Sequence, residues 1–135
     1  MLEEQYLEYI ELFNERDFYD CHEVLEDLWL DYHGPARRFY QGLIHLASAY
    51  LLLLRGNMRG CRARFISTLA YLDDYPPTYL GLHLHPIRQN IALWLTRLDA
   101  AAPGERTPYR DADVPMLSLD LPHAVAATTT APENA

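Results

Sequence analysis

The sequence contains no lysine, because all eleven of its basic residues are arginine. Schiff-base enzymes and pyridoxal phosphate enzymes both need a lysine amine, so this chain cannot supply that chemistry. The phosphate-binding loop of the Walker type also depends on a lysine and is excluded on the same ground.

Glycine and serine are few and scattered. The six glycines form no Gly-x-Gly-x-x-Gly fingerprint of the dinucleotide-binding folds. The serines, Ser48, Ser67 and Ser118, do not stand in the Gly-x-Ser-x-Gly motif that presents a nucleophilic hydroxyl. These absences remove two large enzyme classes from the candidates.

Cysteines and long apolar stretches are also scarce. Cys21 and Cys61 are the only cysteines. The longest apolar run, residues 43–54, is interrupted by His45 and Ser48 and falls short of the roughly 20 residues that span a bilayer. The acidic N-terminus lacks the apolar region of a secretory signal. We therefore expect a cytoplasmic protein with reduced thiols and no membrane association.

The formal net charge is −8. A negative field repels nucleic acid and anionic membranes, so we expect neither as a partner. Four arginines cluster near one predicted helix turn, at Arg55, Arg59, Arg62 and Arg64. A solvated helix face explains them, and an anion or RNA-phosphate contact is the alternative that the net charge disfavours. A small molecule, a protein or a second copy of the chain stay open as partners.

Hydrophobic periodicity predicts five helices. Their approximate ranges are 3–14, 18–33, 36–55, 58–75 and 86–100. Asp17 and Asn57 are typical N-caps, and Gly34 and Gly56 are typical of residues that follow a helix. The third helix is apolar around most of its surface and is predicted to be central.

These features predict an all-α fold, a single compact bundle of about five helices built from antiparallel helical hairpins. We assign this helical domain to residues 1–101. Residues 102–135 are rich in proline, alanine and threonine, and we expect a tail that is disordered or loosely docked on the domain.

The densest group of chemically useful residues is His22-Glu23-x-x-Glu26-x-x-Trp29 in the second helix. Helical spacing places His22, Glu26 and Trp29 along one flank of that helix. Gln41 and His45 are one turn apart on the third helix and are expected opposite. This arrangement predicts a polar cleft that binds a small ligand or a partner, lined by these residues and Glu23.

Three alternatives stay open for the same residues. His22 and Glu26 could hold a divalent metal ion, because imidazole and carboxylate ligate zinc and iron, although the histidine that zinc peptidases carry at the second ligand position is Glu26 here. A hydrolase could then use Glu23 or Glu26 as general base. In the third alternative His22 and Glu26 form an internal hydrogen-bonded brace with Gln41, and the protein is a structural scaffold with no small-molecule site. No residue is assigned as catalytic.

The sequence resembles the bacterial and archaeal family called domain of unknown function 309, over about residues 13–75. The resemblance rests on Phe13-Asn14, His22-Glu23-x-x-Glu26-x-x-Trp29, Gln41-Gly42-Leu43-Ile44-x-x-Ala47 and Gly56-Asn57-x-x-Gly60. It implies a compact all-α fold and no established activity.

The resemblance also implies which residues form the family's motif. These are His22, Glu23, Glu26, Trp29, Gln41 and Asn57. Two positions depart from the family pattern. His45 stands where the pattern has glutamine, and Leu52 stands where many members carry histidine. If that histidine were a ligand, its loss would weaken the metal hypothesis.

Overall fold

A computed structural model describes residues 2–120 and residue 122 of the chain. Within these residues the fold is carried by five α-helices, with two very short strands and one 3₁₀ turn at Asp111–Asp113. The elements are α1 (Glu4–Asn14), α2 (Phe18–Asp31), α3 (Arg37–Leu54), α4 (Met58–Leu72), β1 (Thr78–Tyr79), β2 (Leu82–His83) and α5 (His85–Ala100). The predicted all-α fold of five packed helices is confirmed.

Helix α3 is the central element, because it packs against both α2 and α4. Ten of its residues are buried: Phe39, Tyr40, Gly42, Leu43, Ile44, Leu46, Ala47, Ala49, Tyr50 and Leu53. Full burial of a large apolar side chain contributes about 1.5–3 kcal/mol, so this helix is a principal source of stability. Helix α1 covers α2, and α5 packs on α4. Helix α2, which carries the predicted polar site, thus packs directly on this central helix.

Side-chain caps begin two of the helices. The Asp17 carboxylate accepts a hydrogen bond from the Asp20 amide at 3.2 Å at the start of α2. The Asn57 side-chain oxygen accepts from the Gly60 amide at 2.8 Å at the start of α4. Both residues were predicted as N-caps, and both predictions are confirmed.

The C-terminal end of α2 differs from the sequence prediction. The helix stops at Asp31, and Gly34 is not among the described residues with a positive φ, so it is not the helix-ending glycine that we predicted. An arginine satisfies the exposed carbonyls instead. Arg37 donates to the carbonyl oxygens of Trp29 at 3.0 Å and Tyr32 at 2.6 Å. A long side chain from α3 thus replaces the local glycine signal.

Residues 103–120 run along the helices and are attached by polar side chains of the α1–α2 corner. The Asn14 amide nitrogen donates to the Leu117 carbonyl at 2.7 Å, and its oxygen accepts from the Leu117 amide at 2.7 Å. Arg16 donates to the Val114 carbonyl at 2.6 Å. Both anchored residues are almost fully buried, so this segment contributes to the core.

The division into a domain of residues 1–101 and a tail of residues 102–135 stays a prediction. Residue 121 and residues 123–135 lie outside the described part of the chain. Among the described residues, no helix is both long enough and apolar enough to cross a membrane.

Candidate functional site

Three side chains of α2 converge, and we call them the α2 face: His22, Glu23 and Glu26. The His22 Nδ1 atom lies 3.5 Å from a Glu23 carboxylate oxygen, and the Nε2 atom lies 3.6 Å from a Glu26 carboxylate oxygen. One potential metal-ligating atom from each residue falls within 4.8 Å of the others. The i, i+4 spacing of His22 and Glu26 produces this convergence directly, because residues four apart are neighbours on a helix surface.

The α2 face is open to solvent on its carboxylate side. The side chains of Glu23 and Glu26 are 47% and 42% exposed, whereas that of His22 is only 22% exposed. The imidazole therefore lies against the protein while both carboxylates reach water. These groups are not sealed inside dry packing, and an ion can approach them.

His45 lies next to this face on α3 and is half-buried. Its ring meets the Tyr71 ring edge-on, with the centroids 5.2 Å apart. Burial, with additional contributions from Arg64 and His22, lowers the pKa of His45 to about 4. His45 is therefore uncharged at neutral pH, the form in which imidazole accepts a hydrogen bond or ligates a metal.

The predicted hydrogen-bonded brace does not form in the described structure. The separation of 3.6 Å between His22 and Glu26 exceeds hydrogen-bond length. Gln41 is half-buried one turn before His45, and its side chain makes no hydrogen bond to either residue among those described. Hydrogen bonds among His22, Glu26 and Gln41 therefore do not hold α2 against α3.

Trp29, which was predicted to line the cleft, is covered on one face of its ring by Arg37. The Arg37 guanidinium lies 4.0 Å from the centroid of its indole ring, so one aromatic face is covered by a cation. The indole nitrogen is buried and has no hydrogen-bond partner in the described residues. Nδ1 of His45 is likewise buried without a hydrogen-bond partner there, whereas Nδ1 of His22 makes no hydrogen bond but has the Glu23 carboxylate 3.5 Å away. Such unpartnered nitrogens destabilise a protein by about 1–3 kcal/mol each unless a guest satisfies them.

Cavities of the described residues lie away from the α2 face. One of about 750 Å³ is lined by the end of α5 and the segment after it, and contains Arg97, Arg106, Thr107 and Arg110. We call this cavity the arginine cavity. Sequence reasoning missed it because two of its arginines fall in the predicted tail. The available signal was the recurrence of arginine at positions 97, 106 and 110. That signal is weak without knowledge of where the chain runs, because acidic residues are interspersed among these arginines.

A protein-family model, "Domain of unknown function (DUF309)", matches residues 6–63. The match includes most of α1, all of α2 and α3, and the first residues of α4. It therefore contains the whole α2 face together with Trp29, Gln41 and His45. No curated protein matches the chain. The family resemblance seen in the sequence is confirmed over these residues.

Proposed function

We propose that this chain, whose residues 6–63 match the DUF309 family model, is a metal-binding protein that holds a divalent ion of the zinc or iron type on the α2 face. The observation that carries the proposal is the separation of 3.6 Å between Nε2 of His22 and the nearer carboxylate oxygen of Glu26. Two ligands bonded at about 2.1 Å to a tetrahedral zinc ion lie about 3.4 Å apart. That separation is too long for a hydrogen bond and suits an ion between the two atoms.

Glu23 has a separate role in this proposal. Its carboxylate lies 3.5 Å from Nδ1 of His22, whereas Glu26 lies beside the other ring nitrogen, Nε2. A carboxylate in this position favours the tautomer with a proton on Nδ1, which leaves the Nε2 lone pair free for the ion. We therefore assign His22 and Glu26 as ligands and Glu23 as the residue that orients the imidazole, with water completing the coordination.

The openness of the face favours an ion over an organic ligand. Organic ligands bury about 70–90% of their surface in a concave site. The cavities of about 750, 370 and 210 Å³ are lined by residues of α4, α5 and the segment after α5, not by the α2 face. A metal ion needs no such enclosure, because a few ligands and bound water satisfy it.

A second candidate function rests on the unpartnered nitrogens of Trp29 and His45. A small guest or a partner's side chain with a hydrogen-bond acceptor would satisfy the Trp29 N–H, and it would enter between α2 and α3 beside Gln41. Hydrolysis by a metal held at the face is a further proposal, for which no residue is assigned as base. We also propose a cytoplasmic location, as the sequence predicts.

Calorimetric titration of the metal-free protein with Zn²⁺ tests the metal proposal. We expect one ion per chain, with affinity reduced at least about tenfold in His22→Ala and in Glu26→Gln. Glu23→Gln should weaken binding by about 10- to 100-fold if it orients the imidazole. The matched controls are His85→Ala and Glu11→Gln, because both positions are exposed and lie on other helices.

The outcomes separate the candidates. Unchanged zinc affinity in both His22→Ala and Glu26→Gln would remove the metal from this face. Native mass spectrometry of protein purified from cells then tests the second candidate, which expects a bound organic mass that disappears in Trp29→Phe or His45→Leu. A guest retained in both variants would end that candidate too.

A further inference from the structure

The arginine cavity lies away from the α2 face, where the chain leaves α5 and folds back. Its volume is about 750 Å³, and besides its three arginines and Thr107 it is lined by Ala100, Ala101, Glu105 and Pro108. It therefore combines three guanidinium groups and one carboxylate with small apolar walls. A cavity of this size accommodates a small metabolite.

Two of the arginines share one carboxylate. Arg97 donates to an Asp113 oxygen at 2.7 Å, and Arg110 donates to the same oxygen at 3.1 Å. Each guanidinium has five N–H donors, so a single contact leaves most of its hydrogen-bonding capacity unused. Counting Arg106 and the Glu105 carboxylate as well, three positive charges stand against two negative ones, so a positive excess of one remains to attract an anion.

Arg106 is held in place by the end of α3 and by Gly56 shortly after it. Its guanidinium donates to the carbonyl of Leu54 at the end of α3. It also lies against Gly56, where an added Cβ atom would come within 3.2 Å of the guanidinium carbon. Gly56 has a φ of +81°, so both backbone conformation and space favour glycine there. The third arginine is therefore positioned by the fold.

Thr107 supplies a further polar group. Its residue is only 5% exposed, and its hydroxyl has no hydrogen-bond partner among the described residues. It lines both the arginine cavity and an adjoining cavity of about 210 Å³, whose lining includes Arg59 and Arg62. A buried hydroxyl without a partner is unfavourable, and a bound oxygen acceptor would relieve that cost.

We propose that the arginine cavity binds the phosphoryl group of a small phosphorylated molecule. The planar forks of Arg97, Arg106 and Arg110 match phosphate oxygens in pairs, and Thr107 donates to a further oxygen. The apolar walls contact the remainder of the molecule. A nucleic acid is disfavoured, because the net charge of −8 repels a long polyanion while a concave local site still admits a small one.

Titration of the full chain with inorganic pyrophosphate, with citrate as a carboxylate comparison, tests the proposal. We expect pyrophosphate to bind with one-to-one stoichiometry, and citrate to bind at least about tenfold more weakly. Arg106→Gln and Arg110→Gln should each reduce pyrophosphate affinity at least about tenfold and flatten its salt dependence. Arg38→Gln is the matched control, because that arginine is 56% exposed, paired with Asp74 and remote in sequence.

Thr107→Val separates binding from folding. Valine keeps the shape of threonine and removes the unpartnered hydroxyl, so the free variant should melt at the same temperature or higher while pyrophosphate binds more weakly. The proposal is overturned if wild type does not bind pyrophosphate, or if citrate binds equally well. It is also overturned if Arg38→Gln loses as much affinity as the two cavity variants.

Discussion

The α2 face and the arginine cavity differ in how the chain assembles them. The α2 face takes its three residues from five consecutive positions of one helix, so helix geometry alone brings His22, Glu23 and Glu26 together. The arginine cavity joins the end of α5 to an irregular segment that α1 and α3 hold in place. The first surface should therefore tolerate changes elsewhere in the fold, whereas the second should depend on distant contacts.

Removing Trp94 should produce the largest effect and should damage the arginine cavity more than the α2 face. Trp94 is fully buried on α5 and donates to the Asp113 carbonyl at 3.2 Å. We expect Trp94→Ala to lower the free energy of unfolding by about 3–5 kcal/mol. Below the melting temperature, pyrophosphate binding should be lost while zinc binding is retained, as measured by denaturant unfolding and calorimetry.

The control for that experiment is the neighbouring residue. Leu93 is 41% exposed on the same helix, so Leu93→Ala should change stability by no more than about 0.5 kcal/mol. Equal loss of zinc and pyrophosphate binding in Trp94→Ala would contradict the proposed independence of the two surfaces.

Asn14→Ala should produce a smaller effect of the same kind. The Asn14 side chain exchanges two hydrogen bonds with the backbone of Leu117, 103 residues away in sequence. Loss of both leaves partly buried backbone groups unpaired, so we expect destabilisation by about 1–3 kcal/mol. Faster hydrogen exchange should be confined to the segment around Leu117.

Glu11→Ala, an exposed change on α1, is the comparison for Asn14→Ala. Exchange that accelerates equally in α2 would show that the segment and the helices open as one unit. In that case the α2 face and the arginine cavity would not differ in how strongly they depend on distant contacts.

A pH experiment addresses the α2 side of the comparison. The pKa of His45 is lowered from its usual 6.5 to about 4, chiefly by burial and also by Arg64 and His22. The folded state therefore binds a proton less readily than the unfolded state does. The stability linked to His45 is present above about pH 6.5 and is lost as the pH falls toward 4.

His45→Gln should flatten the stability profile between pH 6.5 and 4, measured by thermal unfolding in a chelator so that metal does not contribute. His85→Gln, at an exposed position, should leave the slope as in wild type. If His45→Gln and wild type lose stability in parallel, the histidine is not the group responsible.

The sequence predicted those parts of the molecule that depend on local spacing. The caps at Asp17 and Asn57 and the convergence of His22 with Glu26 follow from positions three or four apart. The cation over Trp29 was not predictable, because Arg37 follows a turn whose path the sequence did not define. The arginine cavity was missed for the same reason, since its shape depends on where the segment after α5 returns.

The smallest expected effect concerns the thiols. Cys21 precedes His22, yet it is fully buried, and its sulfur donates to the Tyr9 carbonyl at 3.6 Å, on the core side of α2. Burial raises the pKa of the Cys61 thiol to about 12 and that of Cys21 further. At pH 8 both should react with a disulfide reagent more than about a thousandfold more slowly than an exposed thiol does.

Zinc should leave these reaction rates unchanged, because the proposed ligands are imidazole and carboxylate. Slower reaction of Cys21 in the presence of zinc would instead indicate that the ion binds on the core side of α2. The reaction rate of both thiols in denaturant provides the reference for full reactivity.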